Sequence, residues 1–200
     1  MRRMPASQRR ESIIAAAQRV VLANGLVAAT TRDVTDELGV GVGLLSHYFS
    51  WNELRSLAFE RTARADLEAA ILKRSEEKAS VVLRDLAASA FEPSADPLWR
   101  IWIEATELAA SDALLSEAVQ LCTDLWWGGL AELIVRGDAE GEWSCRDPKG
   151  ASWRLVALLQ GLAGLALLPG ARLSREEATM HLQTAIGHEC RGRESPGKKR

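Results

Sequence analysis

The sequence TTRDVTDELGVGVGLLSHYFSWNEL, residues 30–54, decides the fold. Thr30 and Asp33 have the spacing of a capping box, which predicts a short helix over residues 31–38. Gly39 follows as a helix stop, and a second short helical segment, VGLLSHYF, comes after a three-residue turn. Two short helices joined by such a turn are typical of a helix-turn-helix, whose second helix enters the major groove of DNA. The same spacing also occurs between helices that only pack together, so the pattern alone leaves both interpretations open.

Helices are predicted on both sides of this segment. Apolar residues at three- and four-residue steps predict a helix over residues 8–24 before it. After it, periodicity, caps and breaks at Gly137 and Gly141 predict helices over residues 51–75, 78–91, 97–110, 113–137, 149–168 and 175–188. The expected fold is all-α, with about nine helices. It combines a three-helix helix-turn-helix domain over residues 1–50, an antiparallel helical bundle for ligand binding and dimerisation over 51–190, and a disordered basic tail over 191–200.

Charge is distributed unevenly along the chain. Residues 1–50 hold six Lys and Arg against four Asp and Glu, residues 51–190 hold fourteen against twenty-two, and residues 191–200 hold five against one. A basic end on an acidic body suits a protein in which one part contacts phosphates and another part does not.

The remaining signals exclude several classes of protein. Three cysteines without a C-x-x-C pair indicate neither a disulfide framework nor a thiolate metal site. The chain has no signal-peptide pattern and no apolar run of about 20 residues, so a cytoplasmic protein without membrane association is expected. Catalytic motifs are missing, and no enzyme, metal or cofactor is expected. A non-DNA-binding helical scaffold and a small helical enzyme remain as alternatives.

The run from Arg10 through Leu54, with the elements AAAQRVVLANG, TTRDVTDELGV and GLLSHYFSWNEL, resembles the DNA-binding domain of the TetR family of one-component regulators. Within this family, the chain is most similar to the branch that contains the choline-responsive BetI repressors. The similarity rests on the motif GLLSHYF and, further on, on DPLW, a Trp pair and LLQGLAGL. The resemblance implies a ligand-responsive transcriptional regulator. Such a homodimeric repressor leaves a palindromic operator in double-stranded DNA when a small-molecule effector binds a C-terminal cavity.

The resemblance and the chemistry of the side chains together predict the DNA contacts. The residues expected near base edges are Val42, Gly43, Leu44, Ser46 and His47. The residues expected at phosphates are Thr31, Arg32 and Tyr48, with Arg2, Arg3, Arg9 and Arg10 reaching the backbone or minor groove. Leu45 and Phe49 are expected in the core. Asn52 stands where most family members place a lysine, so that phosphate contact is expected to be weaker.

Tryptophan is unusually frequent in the second half of the chain, where six of the seven lie beyond residue 90. An aromatic pocket with acidic residues nearby suits a cation such as a quaternary ammonium or a polyamine. The same rings would equally well fill a helical core or a dimer interface. The predicted ligand-binding residues are Trp99, Trp102, Glu104, Glu107 and Trp126.

The last two predicted helices are expected to pair with those of a second subunit. The helix over residues 149–168 is apolar nearly all round and therefore needs cover on more than one side. Together with residues 175–188 it would complete a four-helix bundle across a two-fold axis. The predicted interface residues are Trp153, Leu158, Leu162, Leu165 and His181.

Overall fold

The structure is a computed structural model that describes residues 5–191. Within that range the chain is all-helical, as predicted, with nine α-helices and two short 3-10 turns. The helices are α1 (Ala6–Asn24), α2 (Thr31–Leu38), α3 (Val42–Tyr48), α4 (Trp51–Ala70), α5 (Ala79–Ser89), α6 (Asp96–Leu108), α7 (Ala113–Ala139), α8 (Pro148–Ala166) and α9 (Arg175–Glu189). The fourth helix ends before the predicted residue 75, because a 3-10 turn occupies Leu72–Arg74.

Local signals fix the ends of the short N-terminal helices. The Thr30 hydroxyl accepts from the Asp33 N–H at 3.2 Å, and the Asp33 carboxylate accepts from the Thr30 N–H at 2.8 Å. The pKa of Asp33 is lowered chiefly by the Thr30 side chain, which hydrogen-bonds the carboxylate. Gly39 ends α2 in the left-handed conformation, with φ 65°. The predicted capping box and helix stop are therefore confirmed.

The packing divides the described chain into two compact units. The first comprises residues 5–65 and 97–123, and the second comprises residues 66–96 and 124–191. The domain boundary predicted at residue 50 thus coincides with the end of the helix-turn-helix, but not with the end of a compact unit. The reason is that most of α4 and α6 belongs to the same unit as α1 to α3.

The first unit is built around fully buried apolar side chains. Each of its first four helices contributes to this core, through Ile13, Val21, Val34, Leu45, Leu54 and Phe59. Phe59 on α4 contacts Trp102 on α6 edge to face, with ring centroids 5.0 Å apart. Arg55 donates to the Asp112 carboxylate at 2.8 Å, and both side chains are largely buried. Burial opposes ionisation of Asp112, but hydrogen bonds from Arg55 and the Leu115 N–H hold its pKa below the ordinary value.

In the second unit, Trp143 packs closely against helix α7, a contact that the sequence did not reveal. The Trp143 indole N–H donates to the Ile134 carbonyl at 2.9 Å. A Cβ at Gly137 would lie 2.0 Å from the Trp143 ring. The predicted break at Gly137 is therefore wrong, because α7 continues to Ala139 and this glycine instead makes room for the tryptophan. The predicted break at Gly141 is confirmed, because it follows the end of α7 with φ 79°.

The end of the described chain also corrects a prediction. Arg191 was assigned to the disordered tail, but its backbone pairs with Ser144 in an isolated antiparallel bridge. The rest of the predicted tail, residues 192–200, lies outside the described residues, as do Arg2 and Arg3. None of the helices within residues 5–191 is long and apolar enough to cross a bilayer.

Candidate functional site

The third helix presents the predicted base-contacting residues at the surface. Leu45 and the following Phe49 are buried and anchor it to the first unit, as predicted. The outward side is formed by exposed Val42, Gly43, Ser46 and His47, with Leu44 and Tyr48 half-buried. A Cβ at Gly43 would have no atom of the chain within 4 Å, so this side of α3 is open to an external partner.

Arg10 holds the C-terminal end of α3 in position. Its guanidinium donates to the Tyr48 carbonyl at 3.0 Å and lies 4.1 Å from the centroid of the Phe49 ring. It also pairs with Glu53 at 3.6 Å. Arg10 was predicted to reach DNA, but these contacts engage it within the chain. The role could not be read from the sequence, because Arg10 and Tyr48 are 38 residues apart.

The predicted phosphate contacts lie at the start of α2 and of α4. Arg32 is 84% exposed and makes only a long i,i+4 ion pair with Asp36, at 3.9 Å. Thr31 is half-buried in the first turn of α2, and Asn52 is exposed in the first turn of α4. Backbone N–H groups at helix N-termini favour phosphate binding, so these positions suit the predicted role.

The predicted ligand-binding residues are divided between the two units. Trp99, Trp102, Glu104 and Glu107 belong to the first unit, and Trp126 belongs to the second. Trp102 is buried against Phe59, whereas Glu107 is exposed. The indole nitrogen of Trp126 is buried and has no hydrogen-bond partner within residues 5–191. A buried donor without an acceptor is uncommon in proteins and suits a site that a ligand completes.

Glu104 has a contact that its sequence position did not indicate. Its carboxylate accepts hydrogen bonds from the backbone N–H groups of Leu26 and Val27, just after α1. One turn earlier on α6, Arg100 donates to the carbonyls of Leu22 and Ala23. The Glu104 carboxylate is therefore engaged with the end of α1 in this structure.

Asp66 on α4 is an acidic residue that the sequence analysis missed. Burial raises its pKa to about 6, and no counter-charge offsets that effect. Among residues 5–191 it has no ion-pair partner. A partly buried carboxylate of this kind is a candidate for binding a cation. The sequence carries no signal for it, because Asp66 lies in an ordinary helical pattern.

The predicted dimer residues are only partly accessible. Trp153 and Leu165 on α8 are 46% and 55% exposed, His181 on α9 is exposed, and Leu158 is half-buried. The prediction for Leu162 is wrong, because this side chain is only 7% exposed and belongs to the core. Two exposed apolar residues, Leu168 and Met180, extend the same region and were not predicted.

Two protein-family models match the sequence. Residues 13–51 match the model of bacterial regulatory proteins of the tetR family. Residues 75–191, more than half of the chain, match the model of the C-terminal part of BetI-type transcriptional repressors. The chain belongs to the TetR family. It is a transcriptional regulator with an N-terminal DNA-binding helix-turn-helix and a BetI-type C-terminal part, as predicted.

Solved structures agree with this assignment. A structure described as a TetR-family transcriptional regulator from Rhodococcus sp. is 25% identical, with a TM-score of 0.75 over 92% of this chain and 99% of that chain. A transcriptional regulator from Saccharomonospora viridis in complex with choline is 21% identical, with a TM-score of 0.75 over 92% of this chain and 98% of that chain. A TetR-family regulator from Cytophaga hutchinsonii is 16% identical, with a TM-score of 0.76 over 96% of this chain and 100% of that chain. A comparison with curated protein sequences finds no match.

Family membership also bears on the alternatives to a regulator. TetR proteins are a family of transcriptional regulators rather than of enzymes. The part of the chain that the structure describes holds no group of three or more His, Cys, Asp or Glu side chains able to bind a metal ion.

Proposed function

We propose that this TetR-family protein is a cytoplasmic, non-enzymatic homodimeric repressor that binds a palindromic operator through α3 and leaves it when a cationic small molecule binds. The observation that carries the proposal is the division of α3 into a buried and an exposed side. Leu45 and Phe49 fix the helix, while Ser46 and His47 face outward. The direct experiment is recovery of bound duplexes from a random DNA pool.

The exposed side of α3 has the chemistry needed to read bases. Ser46 and His47 can each donate or accept a hydrogen bond at base edges. Val42 and Leu44 suit contact with a thymine methyl group, and Gly43 lets the backbone approach closely. Around it, Arg32, Thr31 and Asn52 suit phosphate contacts, which fix the register without reading sequence.

An exposed apolar surface on the second unit supports a dimer. Helices α8 and α9 pack on each other and expose Trp153, Leu165 and Met180, and Leu168 in the connection between them is exposed as well. Two copies of such a surface can cover each other across a two-fold axis. Because a two-fold symmetric dimer presents α3 twice, its operator would consist of two inverted half-sites separated by about 10 base pairs, centre to centre.

A cationic effector is supported by several features of the chain. The Saccharomonospora viridis relative has choline bound. Quaternary ammonium groups bind against aromatic ring faces, which the tryptophans can supply. Asp66 offers a carboxylate that lacks an ion-pair partner within the described residues, and the unpartnered Trp126 N–H suits the choline hydroxyl. Ligand-driven release would require choline to bind the DNA-free conformation more tightly than the DNA-bound one.

The selection from a random pool should enrich an inverted repeat. Binding of that repeat by the His47→Ala variant should be weaker by about 1–3 kcal/mol, the cost of one lost base contact. His188→Ala is the matched control, because His188 is also exposed but lies on α9. A pool without sequence enrichment, or equal losses for the two variants, would contradict the DNA assignment.

The effector is tested on the selected operator with choline and its neutral isostere 3,3-dimethyl-1-butanol. Choline should release the protein at concentrations at which the isostere does not, because the two differ in charge and hardly in shape. Release by both compounds would rule out charge recognition. Release by neither would rule out a choline-type effector while leaving the operator result intact.

A further inference from the structure

An isolated antiparallel bridge joins two distant segments of the second unit. The Ser144 N–H donates to the Arg191 carbonyl at 2.8 Å, and the Arg191 N–H donates to the Ser144 carbonyl at 3.2 Å. In an antiparallel pair, the residue after Ser144 lies opposite the residue before Arg191. These two residues are Cys145 and Cys190.

The position of the two cysteines in this pairing suits a covalent bond. Cys145 and Cys190 flank the hydrogen bond from the Arg191 N–H to the Ser144 carbonyl, and in regular antiparallel pairing residues in these positions have Cα atoms about 4.5 Å apart. Disulfides span Cα separations of about 4.4–6.8 Å. Directly opposed side chains also point to the same side of the pair. Cys145 and Cys190 are accordingly both buried, and both are free thiols.

The pKa of Cys190 also reflects how close the two thiols lie. Burial is the main cause that raises the pKa of Cys190 to about 12. The largest contribution from a neighbouring group comes from Cys145, ahead of Glu189 and Asp138. Burial also raises the pKa of Cys145. A negative charge on the Cys145 sulfur therefore opposes ionisation of Cys190.

We propose that Cys145 and Cys190 form an oxidisable pair that a low-molecular-weight disulfide converts into an intrachain disulfide. The thiolate of one cysteine attacks a sulfur of the small disulfide, which gives a mixed disulfide and releases one small thiolate. The other cysteine then attacks the protein sulfur of that mixed disulfide and releases the second small thiolate. Two electrons pass from the cysteines to the oxidant, and the two thiol protons end on the released thiols.

The surroundings of the pair set how readily it reacts. Attack requires a thiolate, and the raised pKa values leave little thiolate at neutral pH. Oxidation therefore needs a local opening that exposes the buried thiols, which makes the reaction slow. The product would tie the end of α9 to the connection between α7 and α8.

Cys122 provides a matched internal control. It is buried, and burial raises its pKa to about 12, as for Cys190. It belongs to the first unit, whereas Cys145 and Cys190 both belong to the second. Cys122 and Cys190 are alike in burial and in pKa. If Cys190 is oxidised and Cys122 is not, the difference is therefore due to the neighbouring Cys145 and not to the reactivity of a single thiol.

The test is equilibration of the reduced full-length protein with graded ratios of oxidised to reduced glutathione. After acid quenching and alkylation, two of the three thiols should be lost together. A peptide map without reduction should join the Cys145 and Cys190 peptides and recover Cys122 alkylated. In Cys145→Ser the intrachain link should vanish, and Cys190 should be modified no faster than Cys122. Cys122→Ser should behave as wild type.

Three results would overturn the proposal. They are retention of all three thiols at the most oxidising ratio, links that involve Cys122 or join two chains, and glutathione retained on Cys190 with no ring closure. If a serine variant fails to fold, the wild-type peptide map alone decides between these results. The experiment uses neither DNA nor effector, so it is independent of the proposed function.

Discussion

The carboxylate of Glu104, on α6, accepts a hydrogen bond from the backbone N–H of Leu26, directly after α1. The same carboxylate accepts from the Val27 N–H at 3.2 Å, and Arg100 donates to the Ala23 carbonyl at 3.0 Å. Helix α6 therefore supplies an acceptor for backbone N–H groups and a donor for a backbone carbonyl at the end of α1. The fit is close, because Gly25 has φ 87° and a Cβ there would lie 2.7 Å from the carboxylate.

Removing this carboxylate should destabilise the protein. Glu104→Ala leaves the partly buried Leu26 N–H without its acceptor, which costs about 1–3 kcal/mol, while the exposed Val27 N–H can bond to water instead. At equal protein concentration, the thermal midpoint should fall by about 2–4 °C for each kcal/mol. Glu107→Ala is the control, since Glu107 is exposed on the same helix. Equal midpoints for the two variants would show that the contact contributes no stability.

Restoring a cation at position 52 should strengthen operator binding. Asn52 is exposed in the first turn of α4, where the resemblance to the TetR family predicts a phosphate contact. In Asn52→Lys, each new phosphate contact should steepen the slope of log K against log salt by about 0.9. Gln120→Lys adds the same charge to an exposed position on α7. If both variants change the slope equally, the effect is one of net charge, and position 52 is not a phosphate contact.

The exposed and buried leucines of α8 should respond differently to substitution. Leu165→Glu places a charge on the exposed apolar surface and should convert dimers to monomers in sedimentation measurements. Leu162→Ala should instead cost about 2–5 kcal/mol of stability through a core cavity. Leu121→Glu, at an exposed leucine of α7, is the control for Leu165. A Leu165→Glu protein that stays dimeric would move the interface elsewhere.

The difference between these two leucines illustrates what the sequence does not contain. Thr30 and Gly39 act on their own neighbours, so the ends of α2 were predictable from adjacent residues. Helix α8 is apolar on almost every side, and only the packing of the folded chain decides that Leu162 is buried and Leu165 exposed. The Glu104 contact with Leu26 and the bridge between Ser144 and Arg191 join residues far apart in sequence. No local pattern encodes such pairs.

The raised pKa of Asp66 makes stability depend on pH. Its pKa is about 6 in the folded chain against an ordinary 3.8, because burial disfavours the charge. Between these values the folded state binds a proton that the unfolded state has lost, so stability falls as pH rises from about 4 to 6. Asp66→Asn should therefore stabilise the protein by about 2–3 kcal/mol at pH 7, and by progressively less toward pH 4. Asp124→Asn, at an exposed site on α7, is the control substitution.

The same linkage predicts how a cation should bind if Asp66 is its counter-charge. Choline would stabilise the ionised carboxylate, so its affinity should rise as pH increases through about 6. The thermal midpoint should then increase more with choline at pH 8 than at pH 5, and 3,3-dimethyl-1-butanol should give no such difference. In Asp66→Asn the pH dependence should disappear, because no proton has to leave before the cation binds. A choline effect that is equal at both pH values in the wild-type protein would mean that Asp66 is not the counter-charge, and the tryptophan faces or another carboxylate would then have to account for recognition.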